Sequence, residues 1–225
     1  MDFTPYIVGI AGGSASGKTS FLHDLKERMP KGALCVISQD NYYKPIEEQH
    51  LDQQGEVNFD LPESIDRALF HDHMQKIQNG ETITINEYTF NNNEKKSGKI
   101  VVTPAPIIIM EGLFIFFYEE IRKGLDLRVF IDAQESIKLE RRLKRDFKER
   151  GYDQEDVLYR WNHHVMPSYK KYLEPFRDDC HIILTNNSHY NKGLDVLAKH
   201  LKSQLPENFS PKFVQQKIRP TSPLV

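Results

Sequence analysis

Tyr6-Ile7-Val8-Gly9-Ile10-Ala11-Gly12-Gly13-Ser14-Ala15-Ser16-Gly17-Lys18-Thr19 is the stretch on which the fold turns. Its first six residues are an apolar, β-prone run. The next eight match G-x-x-x-x-G-K-[ST] in full, and residues 18–29 carry a helical pattern. Strand, glycine loop and helix in that order are the context that makes this motif a phosphate-binding loop. Glycines let backbone N–H groups close around phosphate oxygens, and the helix N-terminus adds positive potential. Lys18 is then placed to reach the β- and γ-phosphates of a nucleoside triphosphate, and Thr19 to hold Mg²⁺. A glycine-rich turn without a ligand is the alternative, which the complete motif between strand and helix disfavours.

Outward from this loop, β-rich runs alternate with helical patterns. Strands are expected at residues 6–11, 33–38, 107–110, 127–131 and 181–184, and helices at 18–29, 62–78, 135–150, onward to about 172, and 193–205. Pro30-Lys31-Gly32 stops the first helix and Gly151 the charged one. This alternation predicts an α/β fold, a doubly wound parallel sheet with helices on both faces. Residues 81–103 break the rhythm: 82–85 and 99–102 are β-prone around a polar stretch, which reads as an inserted β-hairpin. The expected layout is one domain over 1–205 and a proline-bearing tail over 206–225.

The chain of 225 residues has 32 acids against 30 lysines and arginines, a net charge of -2 that offers no global attraction to nucleic acid or to an anionic membrane. The two cysteines, Cys35 and Cys180, lie in runs that read as strands, so they are expected as buried thiols in a reducing cytoplasm. The N-terminus lacks the basic and long apolar regions of a signal peptide. The most apolar segment, 105–118, is short for a bilayer and carries Glu111, so it is expected to be a buried strand and its exit.

Two carboxylates fall where chemistry would need them, and a third is ambiguous. Glu111 follows the apolar run 107–110, and ligands of a parallel sheet gather at strand carboxyl ends, so it is a candidate Mg²⁺ ligand, direct or through water. Asp40 follows Val36-Ile37-Ser38 at the end of the neighbouring strand and could accept the proton of an acceptor hydroxyl, or orient it. An ordinary turn Asp is the competing reading. Asp60, three residues before Glu63, reads by default as part of a helix capping box.

Lys138 to Arg150 holds seven basic residues (Lys138, Arg141, Arg142, Lys144, Arg145, Lys148, Arg150) against three acids (Glu140, Asp146, Glu149). Pairs Arg142–Asp146 and Arg145–Glu149 on a solvated face are one reading. A lid over about 135–152 that brings arginines onto ATP phosphates is the other. A nucleic-acid patch ranks below both, since no aromatics are interleaved. Trp161, His163 and His164 lack metal-ligand spacing and are expected to divide between core and surface. Asn191-Lys192-Gly193-Leu194 misses the guanine-reading motif by one position, because the acid arrives late, at Asp195. That leaves a GTPase reading weak.

These stretches together resemble the uridine kinase (uridine–cytidine kinase) family of P-loop kinases, from residue 6 to about 205. The resemblance is carried by the loop 12–19, Ser38-Gln39-Asp40-Asn41-Tyr42-Tyr43, Asn58-Phe59-Asp60-Leu61-Pro62, Glu87-Tyr88-Thr89-Phe90, Met110-Glu111-Gly112 and Arg141-Arg142-Leu143-Lys144-Arg145-Asp146 leading to Glu149-Arg150-Gly151. It implies ATP-dependent phosphorylation of the 5′-hydroxyl of uridine or cytidine, with Mg²⁺. ATP would be held by Gly12, Gly13, Ser14, Ala15, Ser16, Gly17, Lys18, Thr19 and Ser20, with Arg145 and Arg150 from the lid. Asp40, Lys18 and Arg145 would serve catalysis. Asp40, Tyr43, Asp60, Tyr88, Asn93 and Arg142 would hold the nucleoside. It further implies a homo-oligomer, often a tetramer, serving pyrimidine salvage. Asn93, Tyr152 and Arg160 depart from the family pattern on the acceptor side. A related kinase acting on nicotinamide riboside or a ribulose acceptor is therefore an alternative, as is an ATP-binding regulator without transfer.

Overall fold

The computed structural model describes residues 4–88 and 98–210, without the side chains of 149 and 150. Asn93, the Arg150 side chain and most of the 206–225 segment lie outside the described residues.

The phosphate loop connects strand β1 (Tyr6–Ala11) to helix α1 (Lys18–Arg28), and β2 (Leu34–Ser38) follows. A small hairpin of β3 (His50–Leu51) and β4 (Val57–Asn58) precedes α2 (Arg67–Gln78). Strands β5 (Ile83–Asn86) and β6 (Lys99–Val102) pair antiparallel in a two-stranded sheet of their own. The chain continues through β7 (Ile107–Gly112), α3 (Glu119–Arg122), β8 (Leu127–Asp132) and α4 (Glu135–Arg150). Helix α5 (Gln154–Arg160) runs on through a wide π turn, Trp161–Val165, then α6 (Met166–Ser168) and a second π turn, Tyr169–Leu173. Pro167, which has no N–H to add to the ladder, lies between the two wide turns. Strand β9 (Ile182–Thr185) and α7 (Asn191–Ser203) complete the described elements.

The central sheet has the order β2-β7-β1-β8-β9 with every pairing parallel. Side chains of a strand alternate between faces, and here that alternation assigns the two cores. Ile107 and Ile109 of β7, with Val8 and Ile10 of β1, pack beneath Phe21, Leu25, Leu194 and Leu197 of α1 and α7. Ile108 and Met110, with Ile7 and Ala11, face Phe70, Met74 and Ile77 of α2 and the buried Phe114, Ile115 and Phe116. Burial on both faces explains the unbroken apolar run at 107–110.

Several expectations are corrected. The helix expected from residue 62 begins at Arg67, because Asp66, not Asp60, is its cap and accepts from the Leu69 N–H at 3.0 Å. Residues Pro62–Ser64 form a lone 3₁₀ turn with no side-chain cap. The capping-box reading of Asp60 therefore fails. Strand β7 reaches Gly112, and Glu111 stands next to its carboxyl end, as expected. Cys180 precedes β9 instead of lying in a strand, and both thiols are half-buried and free. The short hairpin β3–β4 was hidden from the sequence, since strands of two residues carry no period.

Candidate active site

The loop's geometry follows from steric necessity. Gly17 has φ of 98°, and a Cβ there would stand 2.2 Å from Nδ2 of Asn186, whose amide donates to the Ser16 carbonyl at 2.8 Å. A Cβ on Gly12 would meet the Ile131 carbonyl oxygen at 2.2 Å. Only glycine fits either place. Lys18 Nζ folds back on the loop, donating to the Gly12 carbonyl at 2.8 Å and the Gly13 carbonyl at 3.4 Å. Burial lowers its pKa, while the carboxylates of Glu111 and Asp40 pull it upward.

Parallel pairing sets the carboxylates in front of this loop. Glu111 stands opposite Ile10 of β1 and Ser38 of β2. It is buried, and that desolvation together with the Asp40 charge pushes its pKa up to about 7, against the opposing pull of Lys18. Asp40 is exposed one turn beyond β2, where its N–H is held by the Ser38 hydroxyl at 3.3 Å. Asp60 follows β4, its N–H donating to Asn58 Oδ1 at 2.9 Å.

An aromatic wall joins these acids. Tyr43 meets Phe59 edge-on with centroids 5.8 Å apart and Tyr88 at 5.3 Å. The Tyr88 N–H is tied to Asn41 Oδ1 at 3.1 Å, so the hairpin base is fastened to the Asp40 turn. From the opposite side α4 contributes its arginines. Arg142 donates to the Ser14 hydroxyl at 2.8 Å and pairs with Asp146 at 3.1 Å. Arg145 donates to the other oxygen of Asp146 at 2.8 Å. The solvated-face reading therefore misses the 142–146 pair, which is buried. The 145–149 pair involves a side chain outside the described residues.

A cleft of about 330 Å³ collects these groups. Of the residues singled out from sequence, Ser14, Ala15, Gly17, Lys18, Thr19, Ser20, Asp40, Tyr43, Asp60, Glu111, Arg142 and Arg145 line it. Gly12, Gly13, Ser16 and Tyr88 are outside its lining, Tyr88 being packed against Tyr43. Val57, Phe59, Leu113, Arg141, Tyr152, Arg160 and His164 also line the cleft, though no site role was assigned to them from sequence. Tyr152 and Arg160 were visible only as departures from a pattern. His164 is buried and His163 exposed, in keeping with the division between core and surface. No residue-type signal distinguished His164 as cleft-lining.

A sequence model of the Phosphoribulokinase / Uridine kinase family matches residues 7–191. The chain belongs to this family. It is 36% identical to a uridine kinase of Borrelia garinii subsp. bavariensis over 197 residues, covering 88% of this chain and 94% of that one. To uridine-cytidine kinase B of Dictyostelium discoideum it is 28% identical over 206 residues, 92% of this chain and 85% of the other. Among solved structures, a putative fructose transport system kinase from Silicibacter superposes with a TM-score of 0.61 at 16% identity, over 80% of this chain and 89% of that one. That likeness shows the fold: the α/β P-loop kinase architecture expected from the sequence.

As a member of this kinase family the chain is an ATP-dependent phosphotransferase. The donor set in the cleft suits Mg²⁺: a hydroxyl at Thr19 and carboxylates at Glu111 and Asp40 are hard oxygen ligands. No group of three His, Cys, Asp or Glu side chains placed to hold a metal ion occurs among the described residues. Mg²⁺ in such kinases keeps waters and substrate phosphates and needs only one or two carboxylates, so this fits. No helix among the described residues is long and apolar enough to cross a membrane.

Proposed function

We propose that the protein transfers the γ-phosphoryl group of ATP to the 5′-hydroxyl of a pyrimidine nucleoside, uridine or cytidine. The observation that carries this reading is the convergence of Asp40 and Asp60, from separate turns, on the aromatic wall of Tyr43 and Phe59 in the cleft that opens on Lys18. A nucleoside offers a matching set: a primary hydroxyl, a vicinal diol and a flat ring.

Asp40 accepts the proton of the 5′-hydroxyl and aims its oxygen at phosphorus. Asp60, relieved of capping duty, accepts from the ribose hydroxyls. Tyr43 and Phe59 offer aromatic surface to the base, with Tyr88 packed against Tyr43. Lys18 exchanges the loop carbonyls for β- and γ-phosphate oxygens, and Arg142 and Arg145 neutralise charge that grows on the transferred group. Thr19 and Glu111 hold Mg²⁺, directly or through water. Bound there, the ion neutralises phosphate charge.

The Arg160 guanidinium, which lines the cleft, is engaged by Glu56 at 2.6 Å and the Val57 carbonyl at 3.2 Å. It therefore lends little support to an acceptor that already carries a phosphate. The test is ADP release from Mg-ATP with uridine, cytidine, nicotinamide riboside and ribulose 5-phosphate in turn. Turnover with uridine or cytidine is expected. Release only with one of the other two, or with none, overturns the reading.

A further inference from the structure

The acceptor end of the cleft is held by a hairpin too small to hold itself. Strands β3 and β4 share only the pairs His50–Asn58 and Leu51–Val57. An isolated two-stranded hairpin is marginal in water even at greater length. Yet Val57, Phe59 and Asp60, which line the cleft, all come from its second strand and the residues just after it.

Four polar contacts cross from this hairpin to the α5 helix and its first π turn, more than a hundred residues away. Asp52, at the hairpin turn, accepts from the Tyr159 hydroxyl at 2.6 Å and from His164 Nε2 at 2.7 Å, both through Oδ2. Its Oδ1 accepts from the N–H groups of Gln54 and Glu56 at 2.8 and 2.9 Å, so one carboxylate both shapes the turn and docks it. Arg160 adds the bonds to Glu56 and the Val57 carbonyl. The helix presents Tyr159, Arg160 and His164 together because the wide turn at Trp161–Val165 adds a residue to the cycle there.

We infer that Asp52, with Tyr159 and His164, is a positioning clamp that seats the β3–β4 hairpin and thereby fixes Phe59 and Asp60 for the acceptor. Neither Asp52 nor Tyr159 lines the cleft, so both act through the residues they place. The phosphate loop is restrained by Asn186, the β8 backbone and Arg142 of α4, none of which belongs to this clamp. Acceptor binding therefore depends on the clamp and donor binding does not. This rests on the assignment of that end of the cleft to the acceptor.

The experiment compares wild type, Asp52→Ala and Tyr159→Phe as full chains, with the nucleoside that the panel assay turns over. Asp52→Ala is expected to raise KM for that nucleoside at least about tenfold, and Tyr159→Phe about threefold, with kcat and the KM for ATP within about twofold of wild type. The phenylalanine variant keeps the ring and loses only the donor, so it reads the bond even if Asp52→Ala folds poorly. An unchanged nucleoside KM in Tyr159→Phe and a folded Asp52→Ala overturns the clamp, as does an equal loss in both KM values. If wild type turns over no nucleoside, the proposed function fails separately. The clamp is then read by amide hydrogen exchange, with faster exchange in residues 50–60 of Asp52→Ala and none gained in 12–19. Unchanged exchange in 50–60 overturns it.

Discussion

Glu111 occupies the fifth position of β7, flanked by β1 and β2, where neither neighbour can be moved without breaking the sheet. Its carboxyl ionises near 4.5 when unfolded and near 7 in the fold, through burial first and the Asp40 charge second. Below 4.5 both states hold the proton. As pH rises through this window the unfolded chain loses its proton first, so stability falls, by at most about 3 kcal/mol. Glu111→Gln should flatten that slope in urea denaturation without nucleotide and with chelator present, and should exceed wild type in stability at pH 8. Parallel slopes for both proteins would show that Glu111 is not the titrating group. Asp40 makes a different demand, since it is exposed and its expected work is on the acceptor. Asp40→Asn should lower kcat about a hundredfold with little change in ATP affinity. Near wild-type turnover would return Asp40 to the ordinary turn residue that an Asp-Asn pair first suggests.

Helix α4 shows how one element can serve both stability and chemistry. Asp146 is buried and pairs with both Arg142 and Arg145, while the Lys144–Glu140 pair, a turn away, stands in solvent. Removing a buried partner strands charge, at a cost of about 3–5 kcal/mol. Asp146→Ala should therefore lower the melting temperature on the order of 10 °C. Lys144→Ala should leave it unmoved, because exposed i,i+4 pairs contribute little. Equal melting temperatures for the two variants would place Asp146 outside the fold's support. Arg145 divides the roles further, being a third exposed where Arg142 is buried. Arg145→Ala should cut turnover at least about tenfold while lowering the melting temperature by no more than about 4 °C. Matched losses in rate and stability would leave it a structural arginine.

At the scale of the molecule, two cores clasp one sheet and the cleft lies along its carboxyl edge, so ligand and fold are linked. Mg-ATP at a hundred times its Kd should stabilise by about 2.7 kcal/mol, a rise of roughly 5–11 °C in melting temperature. Lys18→Ala or chelation of Mg²⁺ should remove most of that rise, measured by thermal unfolding with and without ATP. A full shift in the Lys18 variant would mean that the nucleotide binds elsewhere. The phosphate loop, the alternating strands and helices and the carboxylates at Asp40 and Glu111 were legible in the chain itself. Their signals are local: a motif of eight residues, apolar runs buried on both faces, acids at the ends of those runs. Asp60 was legible as a residue but not as a role, because its capping rival Asp66 is decided by where α2 starts. The meeting of His164, Tyr159 and Asp52 could not be read at all. They meet across more than a hundred residues, from the turn of a hairpin with two-residue strands, from α5 and from a π turn, and neither that hairpin nor the π turn leaves a periodicity in sequence. What the chain determined by itself is the sheet, the loop and the chemistry of the phosphate end. What tertiary structure alone decided is the meeting of Asp52 with Tyr159 and His164 beside the cleft, since contacts between distant segments are set by packing, not by any local pattern.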